Sequence, residues 1–214
     1  MKWSHLAVAV LAAVSLNAQN ASAEYPPKVK KELVAGNDLR GKEAPVLEVD
    51  QWVNGTTPDI KGKVVLVDFW ATWCPPCRQL IPELNSFKEK FGDDLVIIGL
   101  SDEPVEKLKP FVESNKVDYI IGTDPKKQTK KVLKVQGIPH VMIVTPDNVV
   151  RWQGFPGEEN DPLTEDKIAA IIETSKAENA DAAKFAIHVV NETPAGGTKE
   201  ASAESKDKSE EASD

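Results

Sequence analysis

The 214-residue chain predicts an α/β fold in which a central mixed sheet is flanked by helices, with a β extension on its N-terminal side. Three observations carry this. Val64-Val65-Leu66-Val67-Asp68-Phe69-Trp70 is a near-continuous run of β-branched and aromatic residues, the pattern of a strand buried on both faces. A second run, Leu95 to Leu100, follows one helix-length segment later, and strands alternating with helices make a layered α/β sheet. Near the end, Val141 to Thr145 and Val149 to Phe155 flank the turn residues Pro146-Asp147-Asn148, so the sheet acquires an antiparallel hairpin.

The elements follow in order. Residues 24–40 start polar and rich in Pro and Lys, and form a lead-in. Ala44 to Val53 alternates loosely, carries Trp52, and reads as a short strand or hairpin capping one side. Lys61-Gly62-Lys63 is a turn into the central strand. Pro75 opens a helix at its first position, where a missing N–H costs least. That helix runs to Phe91 and stops at Gly92, and Pro82 inside it removes a donor and predicts a kink. Pro104 to Asn115 is a helix with Val105, Leu108, Phe111 and Val112 on one face. Tyr119-Ile120-Ile121 is a short strand, and Gln128 to Val135 a short helix with Val132, Leu133 and Val135 apolar. Leu163 to Ala177 is a terminal helix with Ile168, Ile171 and Ile172 turned inward. The folded domain therefore spans residues 41–178, enough for one core without cross-links.

Both ends differ in character. Residues 1–23 have Lys2, an apolar run from Leu6 to Leu16 and the small-x-small triplet Ala21-Ser22-Ala23, the pattern of a cleavable export signal. The run is shorter than the ~20 residues that span a bilayer, which favours cleavage over a retained anchor. The mature chain is then expected outside the cytoplasm, in a periplasm or its equivalent, with no stable membrane insertion. Residues 179–214 form an acidic, low-complexity tail. Phe185 to Val190 is a segment able to dock, and from Pro194 onward no large apolar residue is present to drive ordering. The formal net charge of −8 argues against nucleic-acid and anionic-membrane partners.

Cys74 and Cys77 are the only two cysteines, at C-x-x-C spacing where the central strand turns into a helix. A ring this short removes little chain entropy, so the pair makes a poor staple. A thiolate at a helix N-terminus is favoured by the partial positive charge there. Cys74 is the expected exposed attacking thiol. Cys77, one turn in, is the more buried resolving thiol that releases a mixed disulfide. Pro75 and Pro76 supply no N–H, so the Cys74 thiolate loses two possible donors and keeps the Cys77 amide. Its pKa is expected in the upper part of the ~3.5–7.5 range of activated thiols, which suits a reductant better than a strong oxidant.

Asp68 is an acid inside an apolar strand. Burial raises its pKa, and it is a candidate base for the Cys77 proton; the competing reading is a hydrogen-bonded structural Asp or one turned to solvent. Trp52 and Trp152 read as packing residues, and Glu158-Glu159-Asp161 as a solvated loop. No phosphate-binding loop is present.

Val-Asp-Phe-Trp-Ala-Thr-Trp-Cys-Pro-Pro-Cys-Arg, residues 67–78, resembles the active-site stretch of the thioredoxin superfamily, and the length and export signal resemble its TlpA/ResA-like thiol–disulfide oxidoreductases. The resemblance implies a thioredoxin-like fold, a redox disulfide Cys74–Cys77 and a cis Pro139 facing the cysteines. It also implies an Ile138 backbone that pairs with an extended substrate, and Trp73 flanking the site. It implies no cofactor and no metal. His140 departs from the common Thr; it tunes the thiolate or contacts substrate, or else is a rim residue without a role. Leu80 stands where many ResA-like members have Glu, which leaves Asp68 as the acid–base group. The implied partners are disulfide-bearing exported proteins and an upstream electron donor such as a membrane reductase. Two alternatives remain at this level: a disulfide donor or isomerase using the same site, and a copper-binding thiol carrier using Cys74, Cys77 and His140. A peroxidase would need a Thr/Arg constellation around one cysteine, and none is visible.

Overall fold

The computed structural model describes residues 24–178 and 187–189. The elements are β1 (Leu47–Val49), β2 (Gln51–Trp52), β3 (Val64–Trp70), α1 (Pro75–Phe91), β4 (Leu95–Ser101), α2 (Val105–Ser114), β5 (Ile120–Thr123), α3 (Gln128–Leu133), β6 (His140–Val144), β7 (Val150–Gly154), α4 (Glu165–Glu178) and β8 (Ile187–Val189). Six strands form one mixed sheet in the order β2-β5-β4-β3-β6-β7. Strands β3, β4 and β5 are parallel, while β2, β6 and β7 each run antiparallel to their neighbour.

All seven residues of β3 are buried, as its unbroken apolar run requires. Alternation along it feeds two cores. On one face Leu66 and Trp70 pack with Leu84 of α1, Leu108 of α2 and Ile171 of α4. On the other, Val65, Val67 and Phe69 pack with Leu133 of α3 and with Leu47 and Val49 of β1. Each such side chain contributes about 1.5–3 kcal/mol when fully removed from water.

One expectation changes at the edge of the sheet. Residues 44–53 do not make a hairpin. Only Asp50 separates β1 from β2, too little to reverse the chain, so the segment runs straight from a two-stranded parallel sheet with β8 onto the edge of the main sheet beside β5. Within the Phe185 to Val190 stretch expected to dock, β8 pairs its Ile187 with Leu47; the rest of residues 179–214, and the signal segment 1–23, lie outside the described residues.

The acidic loop also differs from expectation. Asp161 is 4% exposed, because Lys31 of the lead-in buries its side chain there, with Nζ 2.8 Å from the Asp161 carboxylate and 4.1 Å from the Trp152 ring centroid. The lead-in is thus tied across the domain. Its Gly36 and Val34 also bond the chain after α3, through Gly36 N–H to Lys134 O (2.8 Å) and Gln136 N–H to Val34 O (3.0 Å).

Candidate active site

The site is built where β3 runs into α1. Cys74 is the N-cap of α1, with extended backbone (φ −91°, ψ 107°), and Pro75 and Pro76 occupy the first two helical positions. With those two amides absent, the Cys77 N–H is the one that reaches the Cys74 Sγ, at 3.3 Å. The two sulfurs are joined in a disulfide, S–S 2.05 Å. The loop before them is held from the side. Thr72 donates its N–H (2.6 Å) and its hydroxyl (2.9 Å) to the Glu103 carboxylate, itself 5% exposed and ion-paired with Lys107.

Register brings the second half of the site into place. His140 pairs with Phe69, so the start of β6 lies beside the end of β3 and carries Ile138 and Pro139 to the disulfide. The Ile138–Pro139 bond is cis. The Ile138 carbonyl oxygen lies 3.7 Å from the Cys74 Sγ. A disulfide sulfur has no proton to donate, so this is a contact in the oxidised state. Trp73, 64% exposed, stands at the rim.

The expected contrast between an exposed Cys74 and a buried Cys77 is not present in this oxidised form: they are 3% and 1% exposed. Bonding to Cys77 and the close Ile138 carbonyl cover the Cys74 sulfur.

Asp68 alternates onto the face of Leu66 and Trp70, the face that also carries Cys74 and Cys77. It is 1% exposed, and neither carboxyl oxygen bonds a described residue. Burial pushes its pKa up to about 7, and Lys130 offsets this in part. A group poised near neutrality is suited to trading protons. Tyr119 lies near enough for the Asp68 charge to add to the burial that raises its own pKa. Its hydroxyl and the Trp70 Nε1 are likewise buried without a partner among the described residues.

His140 is corrected. It is fully buried, not at the rim, and alternation turns it to the opposite sheet face from the cysteines. There it packs against Phe69 (ring centroids 6.1 Å apart) and lies 3.1 Å from Gln153 Nε2. Burial, aided by Lys31, lowers its pKa to about 4. On that face it does not join the two cysteines in a ligand set. Sequence reasoning also missed three residues. Thr72 and Glu103 gave no signal as a pair, because they lie 31 residues apart and nothing local links a hydroxyl in the aromatic stretch before Cys74 to an acid in a polar one. Tyr119 was visible only as a strand residue.

Fold and site together define a thioredoxin-like dithiol protein. The chain belongs to the AhpC/TSA family, whose model matches residues 40–153. It is 31% identical over 149 residues to the thiol:disulfide interchange protein HelX of Rhodobacter capsulatus, covering 67% of this chain and 80% of HelX. It is 28% identical over 115 residues to the thiol-disulfide oxidoreductase ResA of Bacillus subtilis, covering 51% of this chain and 64% of ResA. The match to the thioredoxin-like protein YneN of the same organism, 31% identical, covers 44% of this chain and 56% of YneN. Among solved structures, the thioredoxin domain of a thiol-disulfide oxidoreductase from Bacteroides vulgatus superposes with TM-score 0.51 at 28% identity, over 64% of this chain and 97% of that one. The chain is an enzyme of this thioredoxin-like thiol–disulfide oxidoreductase class.

Proposed function

We propose that the chain reduces disulfides of exported proteins. The observation that carries this is the pairing of an N-cap sulfur, Cys74, with a buried acid on the same core face, Asp68. In the reduced enzyme the Cys74 thiolate attacks a client disulfide. One client sulfur leaves as a thiol and the other is held in a mixed disulfide. Cys77, its proton passed to Asp68, then attacks Cys74 and frees the second client thiol. The enzyme dithiol is oxidised to the Cys74–Cys77 disulfide while the client disulfide is reduced to two thiols. Ile138 and Pro139 lie where an extended client segment would run past the sulfur, with Trp73 beside it.

The direction of flow rests on the prolines. A thiolate with a single amide donor is less stabilised, so the reduced form is less favoured and the pair is a better electron donor. Export rests on the pattern of residues 1–23; among the described residues no helix is long and apolar enough to cross a membrane. In an oxidising compartment an upstream electron donor is then required. The copper-carrier alternative loses its third ligand, since His140 faces the other side of the sheet.

The test is trapping with Cys77→Ser, which should stall as a mixed disulfide and identify the client by mass. It is paired with a reduction potential. A value more negative than about −180 mV supports a reductant, and one near about −120 mV would make the enzyme a disulfide donor. Failure of the reduced protein to open any protein disulfide, beside a working reductase, overturns the reading.

A further inference from the structure

The two flanks of the Ile138–Pro139 segment are chemically unlike. On one side, a groove of about 650 Å³ opens from Trp73 and Ile138 and is lined by Lys127, Lys130, Lys131 and Lys134 against the single acid Asp102. Its volume is within the range of binding pockets. Lys127 and Lys130 share Asp102, at 3.0 and 3.4 Å. Lys131 and Lys134 are exposed, and neither has an ion pair among the described residues. On the other side of Pro139, a groove of about 670 Å³ is lined by apolar residues such as Pro76, Leu80 and Phe155, with Glu83 and Glu165 and, among the described residues, no basic one.

This asymmetry is local. The chain as a whole carries 34 acidic against 26 basic residues, yet residues 126–134 hold five lysines and no acid. Against a net negative chain, the lysines beside the redox pair make a local patch that attracts an acidic client. The lysines are also held in place. The carbonyl of Lys134 accepts from Gly36, and Leu133 O from the Asn37 N–H, so the lead-in fixes the end of α3. The groove begins at Ile138, whose carbonyl lies against the Cys74 sulfur, so a segment crossing the disulfide on one side must continue over these lysines.

We propose that this groove docks the client, and that the preferred client carries Asp or Glu on one side of its reactive disulfide and neutral or apolar residues on the other. The inference rests on the reductase reading and names its substrate class. Coulomb attraction from two uncompensated lysines acts mainly on the rate of encounter and is screened by salt.

The experiment measures second-order rate constants for the reduced full-length enzyme with disulfide peptides that share one central sequence. Their flanks are neutral, acidic on the N-terminal side, acidic on the C-terminal side, or basic on either side. One acidic placement should react roughly tenfold faster than the neutral peptide at about 0.02 M salt, the other should gain little, and the advantage should shrink to within about twofold at 0.5 M salt. Lys131→Glu with Lys134→Glu should invert the acidic-over-basic order. Lys42→Glu with Lys61→Glu, at the far end of β3, changes net charge equally and should preserve it. Equal rates for acidic and basic flanks, an equal gain from both acidic placements, or a preference that survives the Lys131/Lys134 reversal overturns the proposal. So does a rate per molecule that falls with enzyme concentration, which would mean that a second copy covers the groove. A neutral peptide that is not reduced at all instead defeats the reductase reading itself.

Discussion

Gly99 stands directly opposite Asp68 in the β3–β4 ladder, and the place of its missing Cβ is bounded by Trp70 Nε1 at 2.9 Å, Ile121 Cδ1 at 2.6 Å and Tyr119 Cε2 at 3.1 Å. The buried acid is therefore walled by rings and aliphatic groups. Its protonated form is favoured, and the linkage sign follows. Its folded pKa of about 7 lies above the ordinary aspartate value of 3.8, so the native state holds this proton more tightly. Stability from this group is fully present below about pH 4 and is lost as pH rises through about 7. Asp68→Asn removes that loss. The variant should match the parent near pH 4 and exceed it by up to about 4 kcal/mol at pH 8 in chemical denaturation. Its reductase rate should fall by roughly 10²-fold or more, and the inflection near pH 7 should vanish, because no group then accepts the Cys77 proton. A variant that keeps both rate and inflection shows that Asp68 is only structural.

Gly99→Ala tests the same wall from the other strand. A methyl group placed 2.6 Å from Ile121 and 2.9 Å from the Trp70 nitrogen forces rings in a close-packed core to move. The expected cost is about 1–3 kcal/mol in urea midpoint analysis. If Trp70 shifts, its fluorescence should change between oxidised and reduced enzyme differently from the parent. An unchanged midpoint would mean that the space is larger than these distances imply.

Glu103 is the anchor of the turn before Cys74. Burial works against its ionisation, but contacts with Lys107 and with both donors of Thr72 outweigh this and lower its pKa. Glu103→Ala leaves the Thr72 amide and hydroxyl without their acceptor, a loss of about 1–3 kcal/mol. Glu103→Gln keeps one acceptor oxygen and should lose less. Because the pKa is lowered, the Glu103 contribution is present above its unfolded pKa, near 4.5, and fades as pH falls below it. The Glu103→Ala deficit should therefore shrink in acid, which denaturation at pH 7 and pH 3.5 would check.

The sequence made the central chemistry readable because it was local. The C-x-x-C spacing, Pro75 at a helix start and Asp68 in an apolar run each state their constraint within a few residues. What it concealed was long-range. Whether His140 meets the cysteines depends on which face β6 turns toward them, and that is set by pairing with Phe69, over seventy residues away in the chain. Asp161 looked solvated because its partner Lys31 lies in a segment read as a lead-in. The path of residues 44–53 depended on β8, beyond the segment read as the folded domain. Residues that gain their meaning from a distant partner gave no pattern to read.

The helix cap offers the sharpest handle on electron flow. A capping side chain accepts from the N–H of the second or third helical residue. Here the third is Cys77, 3.3 Å from the Cys74 sulfur, and the second is Pro76, which has no N–H. Pro76→Ala restores that donor. A second charge-assisted hydrogen bond at a partly covered thiolate should lower the Cys74 pKa by roughly 0.5–1.5 units. Stabilising the thiolate stabilises the reduced enzyme, so the reduction potential should become less negative and client reduction less favourable. Pro75→Ala restores an amide at the first helical position, which does not point at the cap side chain, and should leave the thiol close to its parent value. Alkylation of reduced enzyme with iodoacetamide across pH measures both. A Pro76→Ala midpoint equal to that of the parent would show that the missing amide is not what holds Cys74 in the upper range. A parent midpoint near 4 would remove the physical basis for calling this enzyme a reductant.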